Sequence, residues 1–470
     1  MTASPRLPLA RWAAVVLPGV VLYFTPVAGL EPGPRHLLAL FTALIVSFMV
    51  RPAPMGVSAL VVLALAGVTG TLPPNRIFAG FANPIVWLVV SAFLFAHAVT
   101  RTKLGLRVAY FFIGRFARTP LMLGYSVVIT DLVLAPFVPS DTARGGAIVS
   151  PVVRGLASAL GSEPGRTANR IGSYLTLVGF HGTYLSSAMF LTGMAANPLI
   201  AEFAGRIAGV DLSWGRWALA ACVPGLCSMA LMPWLLYHFV TPDLRETENA
   251  RRLARRQLAE MGPMSREQKR LVVIMALVVA GWITTPWHGI NNTVIALLGV
   301  CALLLSGVLR WPDLLADSRA WDAVSWFAPL LVLAEALNDQ GVVAALFTPI
   351  FAHLTRWPWP IAVAALAALY LYAHYGFASM TAHVSALFPT FLAAALTTAA
   401  PPLAAVLPLA FFSNLNAGLT HYGTGSAPVY FSLGYVSQNT WWTVGFIVSL
   451  VNVAIWLGVG TVWWQAIGLW

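Results

Sequence analysis

The chain has 470 residues; 59% are hydrophobic and only 9% are Asp, Glu, Lys or Arg. A soluble protein carries roughly a quarter charged residues, so 27 basic and 16 acidic side chains are too few for a water-facing surface, and soluble enzymes, secreted scaffolds and disordered regulators are excluded. The net charge of +11 gathers into no polar domain of the kind that binds nucleic acid. With a mean hydropathy of +0.79, the composition is that of an all-α polytopic membrane protein, since a β-barrel would alternate in short segments.

In chain order, apolar segments run over 10–30, 36–50, 53–72, 84–100, 120–139, 141–160, 171–200 and 216–240. They continue over 271–289, 291–309, 324–346, 357–376, 380–398, 403–435 and 441–467. A span takes about 20 apolar residues. Pro32-Gly33-Pro34, Arg51-Pro52, Pro73-Pro74 and Pro401-Pro402 punctuate the series as turns. Leu244 to Arg270 is the one long polar stretch and reads as a loop with an amphipathic helix. Met1 to Arg11 leads into the first apolar run without a convincing cleavage site, and a bacterial inner membrane is the expected location. Cys222, Cys227 and Cys301 lie in apolar runs without metal-ligand or redox spacing. No metal and no cofactor is expected.

Segments 120–139 and 141–160 meet at Pro139-Ser140 with no polar loop, and 357–376 and 380–398 meet near Ser379 in the same way. Each pair reads as a re-entrant hairpin. About 11 membrane-crossing helices are then expected. With the N-terminus in the cytoplasm, 21 basic residues fall inside. Five fall outside: Arg35, Arg76, Arg206, Arg216 and Arg356. Arg144 alone is left within the membrane, and the hairpins enter from opposite faces.

The tips match each other. Ser140-Asp141-Thr142-Ala143-Arg144 and Ser379-Met380-Thr381-Ala382-His383 both read Ser-x-Thr-Ala-basic, offset by 239 residues. The same offset relates Trp87 to Trp326. Two later segments are broken, one at Thr192 to Pro198 around Asn197, the other at His421 to Pro428 around Thr424. Gly and Pro at membrane depth free backbone groups that protein or a lined cavity must satisfy. Inverted repeats with broken elements meeting at midplane mark a secondary transporter.

Helix starts capped by Ser or Thr hold anions through free N–H groups, so two opposed tips suit a dicarboxylate. The expected substrate-binding residues are Ser140, Asp141, Thr142, Ser379, Met380, Thr381, Asn197 and Thr424. An ionised Arg in hydrocarbon costs at least ~2.5 kcal/mol. Arg144 is read either as the partner of Asp141 or as a fixed charge that offsets an anion. His383 is read as charge-compensating or as a neutral hydrogen-bonded ring. His374 and His421 are supporting candidates, and His97 is read as packing. Asp131 and Glu335 are intramembrane acids without an assigned partner.

The run Val138 to Gly146 resembles the first signature of the divalent anion/sodium symporter family. It is closest to the branch of citrate/succinate and tartrate/succinate antiporters and 2-oxoglutarate/malate translocators. Phe377 to Val384, Ser413-Asn414-Leu415, Leu419 to Gly425 and Trp463-Trp464 are similar too, which makes Ser413 and Asn414 further supporting candidates. The resemblance implies a homodimer of elevator type. Scaffold helices would fill 1–118 and 241–352, and transport-domain repeats 119–240 and 353–470. It also implies carboxylate binding at the tips, with Arg144 and His383 in the place sodium takes in coupled members. The second tip, Ser-Met-Thr, lacks the amide oxygen a sodium site would use, which favours exchange. Asp141 stands where the family has Asn and leaves a sodium- or proton-coupled symporter as the alternative. The expected partners are di-/tricarboxylates, lipid and a second copy of the chain. An enzyme is not expected: the chain has no His-Glu-x-x-His, and Gly423-Thr424-Gly425-Ser426 is not a nucleophile elbow.

Overall fold

A computed structural model describes residues 9–27, 29–342, 345 and 356–470. Every regular element among them is helical. The first half contains α1 (Leu9–Phe24), α2 (Pro32–Val50), α3 (Met55–Val68), α4 (Pro84–Arg101), α5 (Leu104–Phe116), α6 (Pro120–Leu134), α7 (Ser150–Ala159), α8 (Gly172–Met189), α9 (Asn197–Ala208) and α10 (Trp214–Phe239). After the loop helix α11 (Glu248–Glu260) come α12 (Arg266–Ile283), α13 (Asn292–Leu305), α14 (Ser318–Asp339), α15 (Trp359–Ala373), α16 (Met380–Leu396), α17 (Pro402–Leu415), α18 (Ser426–Phe431), α19 (Gln438–Ala454) and α20 (Gly460–Ala466). Short helical turns at Pro74–Ile77, Thr285–His288 and Trp311–Ala316 are left unnumbered.

Local chemistry sets these boundaries. Asn83 accepts from the Ile85 N–H at 2.9 Å with Pro84 at the first helical position. Thr119 does the same for α6 ahead of Pro120. Ser265 and Gln268 close a capping box on α12. Inside α10, Pro224 has no N–H to give the carbonyl of Ala220. The indole of Trp464 donates to that carbonyl at 2.8 Å, and Trp463 donates to Leu219 beside it. Trp464 thus satisfies the carbonyl that the proline left open, and Trp463 adds a second bond one residue earlier.

The order of elements repeats. With α5 set aside, α2, α3 and α4, a hairpin, a broken helix and α10 are followed, after the loop helix α11, by α12, α13 and α14, a hairpin, a broken helix and α19. The first hairpin is α6 and α7, the second α15 and α16. By length and composition, six of the described helices can cross a membrane: Pro32–Val50, Pro84–Arg101, Trp214–Phe239, Ser318–Leu337, Pro402–Leu419 and Gln438–Ala466. Segments counted as full apolar spans in the sequence emerge as shorter helices, such as Met55–Val68 and Asn292–Leu305. Residues 101–118, left out of the apolar segments and counted for their basic side chains on the cytoplasmic side, contain α5. Arg107 and Arg115 within it, and Lys103 and Arg118 at its ends, mask its apolar face in the sequence. Arg251 and Arg255 of α11 both donate to the Gly114 carbonyl near the end of α5. The boundary expected at 352/353, residues 1–8 and the end of segment 324–346 lie outside the described residues.

Helices α1 to α4 pack with α13 and α14, and α12 packs on α13. Helices α6 to α10 pack with α15 to α20 around α8 and α17. Between the two groups, α2 meets α16 and α4 meets α9. An apolar cavity of about 220 Å³ lies where α2, α14 and α16 face each other, lined by Phe41, Ile45, Leu337 and Pro389.

Candidate functional site

The first tip begins after Pro139. Ser140 accepts the Ala143 N–H on its hydroxyl at 3.1 Å. The helix that follows is π-helical over Thr142–Val149 before it tightens into α7. Such widened turns recur at functional sites. Gly145 lets it press against α8: a Cβ there would lie 2.8 Å from the side chain of Thr183. The second tip is regular from Met380 onward, with Ser379 accepting the Ala382 N–H at 3.3 Å.

Arg144 is fully buried, and its partner is Asp131 of α6, not Asp141. Nε donates to Asp131 at 2.8 Å. Nη1 donates to the carbonyls of Val138 at 2.7 Å and Gly193 at 3.1 Å. Nη2 donates to the Thr183 carbonyl and to the hydroxyls of Ser186 and Ser187. Every N–H of the guanidinium is therefore engaged. Ser186 and Thr183 also donate to Asp131. A buried ion pair closed on all sides in this way escapes the desolvation penalty of a lone charge.

Asp141 is buried without a cation beside it among the described residues. Its Oδ2 accepts from the hydroxyls of Thr424 and Ser426, and Thr142 lies 3.4 Å from Oδ1. The first tip thereby touches the second broken helix. At Gly425 a Cβ would fall 2.2 Å from the Thr142 hydroxyl.

The second tip meets the same break from the other side. His374 donates from Nε2 to the Gly423 carbonyl at 2.7 Å. His383 lies with its ring edge-on to Tyr370, His374 and Phe377, at centroid distances of 4.3, 4.9 and 5.0 Å. Tyr370 in turn bonds Ser413 at 2.8 Å. Neither ring nitrogen of His383 has a hydrogen-bond partner among the described residues, which corrects the reading of a hydrogen-bonded ring. The side-chain atoms of Asn416, the hydroxyl of Thr420 and Oδ1 of Asn414 are also buried without partners among them. Met380 is buried, Thr381 half-buried.

The first break runs from Phe190 to Ala196, between α8 and α9. Asn197 donates to the Ser187 and Phe190 carbonyls at 3.0 and 2.9 Å, capping the end of α8. Its Oδ1 accepts from Asn414 at 2.9 Å, which joins the two breaks. A cavity of about 530 Å³ between α4, α9, the loop into α10 and the start of α13 reaches this break at Leu191. The second break starts at Asn416, five residues earlier than the sequence places it. The two tips and two breaks are thus linked in one buried region. No hydrogen bond joins the tips directly among the described residues; the second break lies between them.

Other expectations are corrected here. His97 is not mere packing: its Nδ1 lies 2.8 Å from Asp317. Glu335 has a partner, Arg206, which also binds Glu202 at 2.5 Å. His421 accepts from the Trp442 indole at 3.0 Å. Thr183, Ser186 and Ser187 are site residues that the sequence reading lacks, although their i, i+3, i+4 spacing puts three hydroxyls on one face of an apolar helix. Asn416 and Thr420 are absent from it too; polar residues just before a predicted break are the signal that points to them.

The chain matches the family model described as the sodium:sulfate symporter transmembrane region over residues 7–470. It is 43% identical to YflS, a proposed malate transporter of Bacillus subtilis (strain 168), covering 100% of this chain and 98% of that one. It is 41% identical to the chloroplastic dicarboxylate transporter 1 of Spinacia oleracea, over 97% of this chain and 81% of that protein. Among solved structures, the antimetabolite efflux pump MtrF of Neisseria gonorrhoeae aligns with a TM-score of 0.56 at 12% identity, covering 97% of this chain and 94% of that one, which is a likeness of fold alone. The chain belongs to the family of the sodium:sulfate symporter transmembrane region, the divalent anion/sodium symporters, and is a multi-pass membrane transporter rather than an enzyme.

Proposed function

We propose that this protein exchanges C4-dicarboxylates, or related di- and tricarboxylates such as citrate, tartrate or 2-oxoglutarate, across a bacterial inner membrane without sodium. The observation that carries the reading is the set of buried polar atoms around the second tip and second break. His383, Asn416, Thr420 and Asn414 present donors and acceptors without protein partners among the described residues. Buried polar groups are rarely left so, and a carboxylate would satisfy several at once. The names of relatives, a malate and a dicarboxylate transporter, point the same way.

Independence from sodium rests on Arg144. Its guanidinium ties the Val138 carbonyl of the first tip to the Gly193 carbonyl of the first break. That is a cation's task, performed by a side chain that cannot leave. The two helix groups fit a scaffold (1–118 and 241–352) and a moving unit (119–240 and 353–470), with re-entrant hairpins and an elevator motion in a homodimer. The apolar cavity between α2, α14 and α16 gives the moving unit a face to slide along.

Proteoliposomes preloaded with succinate test the proposal. Labelled dicarboxylate should enter without sodium and only against internal dicarboxylate. Uptake that needs a sodium gradient and ignores the internal load would contradict it.

A second reading, cation-coupled uptake, has one observation in its favour: Asp141 is a buried carboxylate held by hydroxyls alone. It predicts uptake driven by a proton or sodium gradient and lost in Asp141→Asn. Under the exchange reading that variant restores the family's Asn and keeps transport.

A further inference from the structure

Arg51 ends α2 in a left-handed backbone conformation, with φ 50 and ψ 58. Its N–H closes the helix on the Ser47 carbonyl at 2.8 Å. That position favours Gly or Asn, and a following proline, here Pro52, pushes the preceding residue toward extended backbone instead. Among the described non-glycine residues only Lys103 and Ala399 share a positive φ. Strain of this kind persists only where the surrounding structure holds it in place, and it clusters at ligand clamps and switch regions.

The side chain is exposed, and no carboxylate pairs with it among the described residues. Its Nη2 reaches the carbonyl of Ala378 at 3.4 Å. Ala378 immediately precedes Ser379, the cap of the second tip. An arginine from the first-half helices therefore rests against the chain that leads into the second tip, the tip that carries His383.

Electrostatics gives that contact a purpose. A dicarboxylate brings two negative charges. Arg144 cannot answer them, because Asp131 already neutralises it and its N–H groups are all engaged. Asp141 adds a further carboxylate to the region. Arg51 is a cation beside the tip with no carboxylate partner among the described residues, and a guanidinium fork matches a carboxylate in two-point geometry.

We propose that Arg51 is a substrate-contacting residue that acts from one side of the membrane: its guanidinium leaves the Ala378 carbonyl for a carboxylate of the arriving substrate while the second tip stands at the end of α2. This rests on the dicarboxylate reading above. Arg51 belongs to the helices that stay in place, so the contact exists only in that position of the moving unit. In the expected topology the end of α2 is cytoplasmic.

The test is exchange in proteoliposomes of uniform orientation, with dicarboxylate varied separately at each face. Arg51→Gly relaxes the left-handed backbone, so it should fold at least as well as the native chain while lacking the guanidinium. It should raise KM about tenfold at the cytoplasmic face, with KM at the opposite face and the maximal rate little changed. Arg51→Lys should recover part of the affinity, keeping the charge without the fork. An unchanged KM at both faces would overturn the inference, as would an equal rise at both. If the native protein exchanges no dicarboxylate, the functional reading falls and takes this inference with it; normal exchange with an indifferent Arg51→Gly removes this inference alone.

Discussion

The two hairpin tips share a five-residue pattern and differ in almost everything the pattern builds. At the first, Arg144 is paired with Asp131 and engages three carbonyls and two hydroxyls. At the second, His383 occupies the matching place and neither ring nitrogen has a partner among the described residues. The first helix opens as a π-helix pressed on α8, while the second is regular. A repeat in sequence thus supplies equivalent positions, and the surrounding helices decide their roles. One tip is a finished electrostatic joint. The other is an unfinished polar surface, and an unfinished surface is where a ligand gains most.

The contrast can be broken by substitution, beginning with the largest expected effect. Removing one member of a buried ion pair costs about 3–5 kcal/mol, so Arg144→Ala should fall sharply in thermal unfolding. The double variant Arg144→Gln with Asp131→Asn should regain most of that stability, because no lone charge remains, yet exchange should stay lost. Recovery of exchange in the double variant would make the pair structural only. Next, Thr424→Val removes a hydroxyl from the Asp141 carboxylate. Hydrogen bonds to charged groups are worth about 1.5–3 kcal/mol, and a melting shift of that order should be seen with exchange impaired. Smallest in stability is His383→Asn, which loses no hydrogen bond seen among the described residues but gives up ring packing against Tyr370, His374 and Phe377. Its unfolding should move by about 1 kcal/mol while exchange falls about tenfold, equivalent to ~1.4 kcal/mol in the transition state. A large stability loss without a transport defect would make His383 a packing residue and remove the ligand-facing role given to the second tip.

Much of this site is legible in the order of the amino acids. The Ser-x-Thr-Ala-basic tips, the Gly- and Pro-rich breaks and the repeat offset all lie in short stretches of chain. Partner choice is not legible there. Asp131 and Arg144 are thirteen residues apart across a turn, and the nearer acid, Asp141, looks the natural partner at i, i+3. The turn at Ala135 to Ser140 reverses the chain and brings α6 alongside, which no local rule encodes. The same holds for Arg206 with Glu335 and His97 with Asp317. Helix α5 escapes for another reason: its basic residues break the apolar run, so the stretch is left out of the apolar segments and serves only the orientation count. Asn416 and Thr420 are overlooked because Gly418 between them is a lone glycine in an apolar run, whereas the clustered glycines and the proline follow His421, although the helix already loosens at Asn416.

The central claim is that the unpartnered groups around His383 and the second break receive the substrate carboxylate. Ligand-dependent thermal stabilisation in sodium-free buffer tests it most directly, because a ligand that binds only the folded state stabilises it by about 2.7 kcal/mol at 100 times its Kd. A C4-dicarboxylate should raise the melting temperature of the native protein, and His383→Asn, measured from its own ligand-free melting temperature, should need about tenfold more ligand for the same shift. Identical titrations for the two proteins would contradict the account.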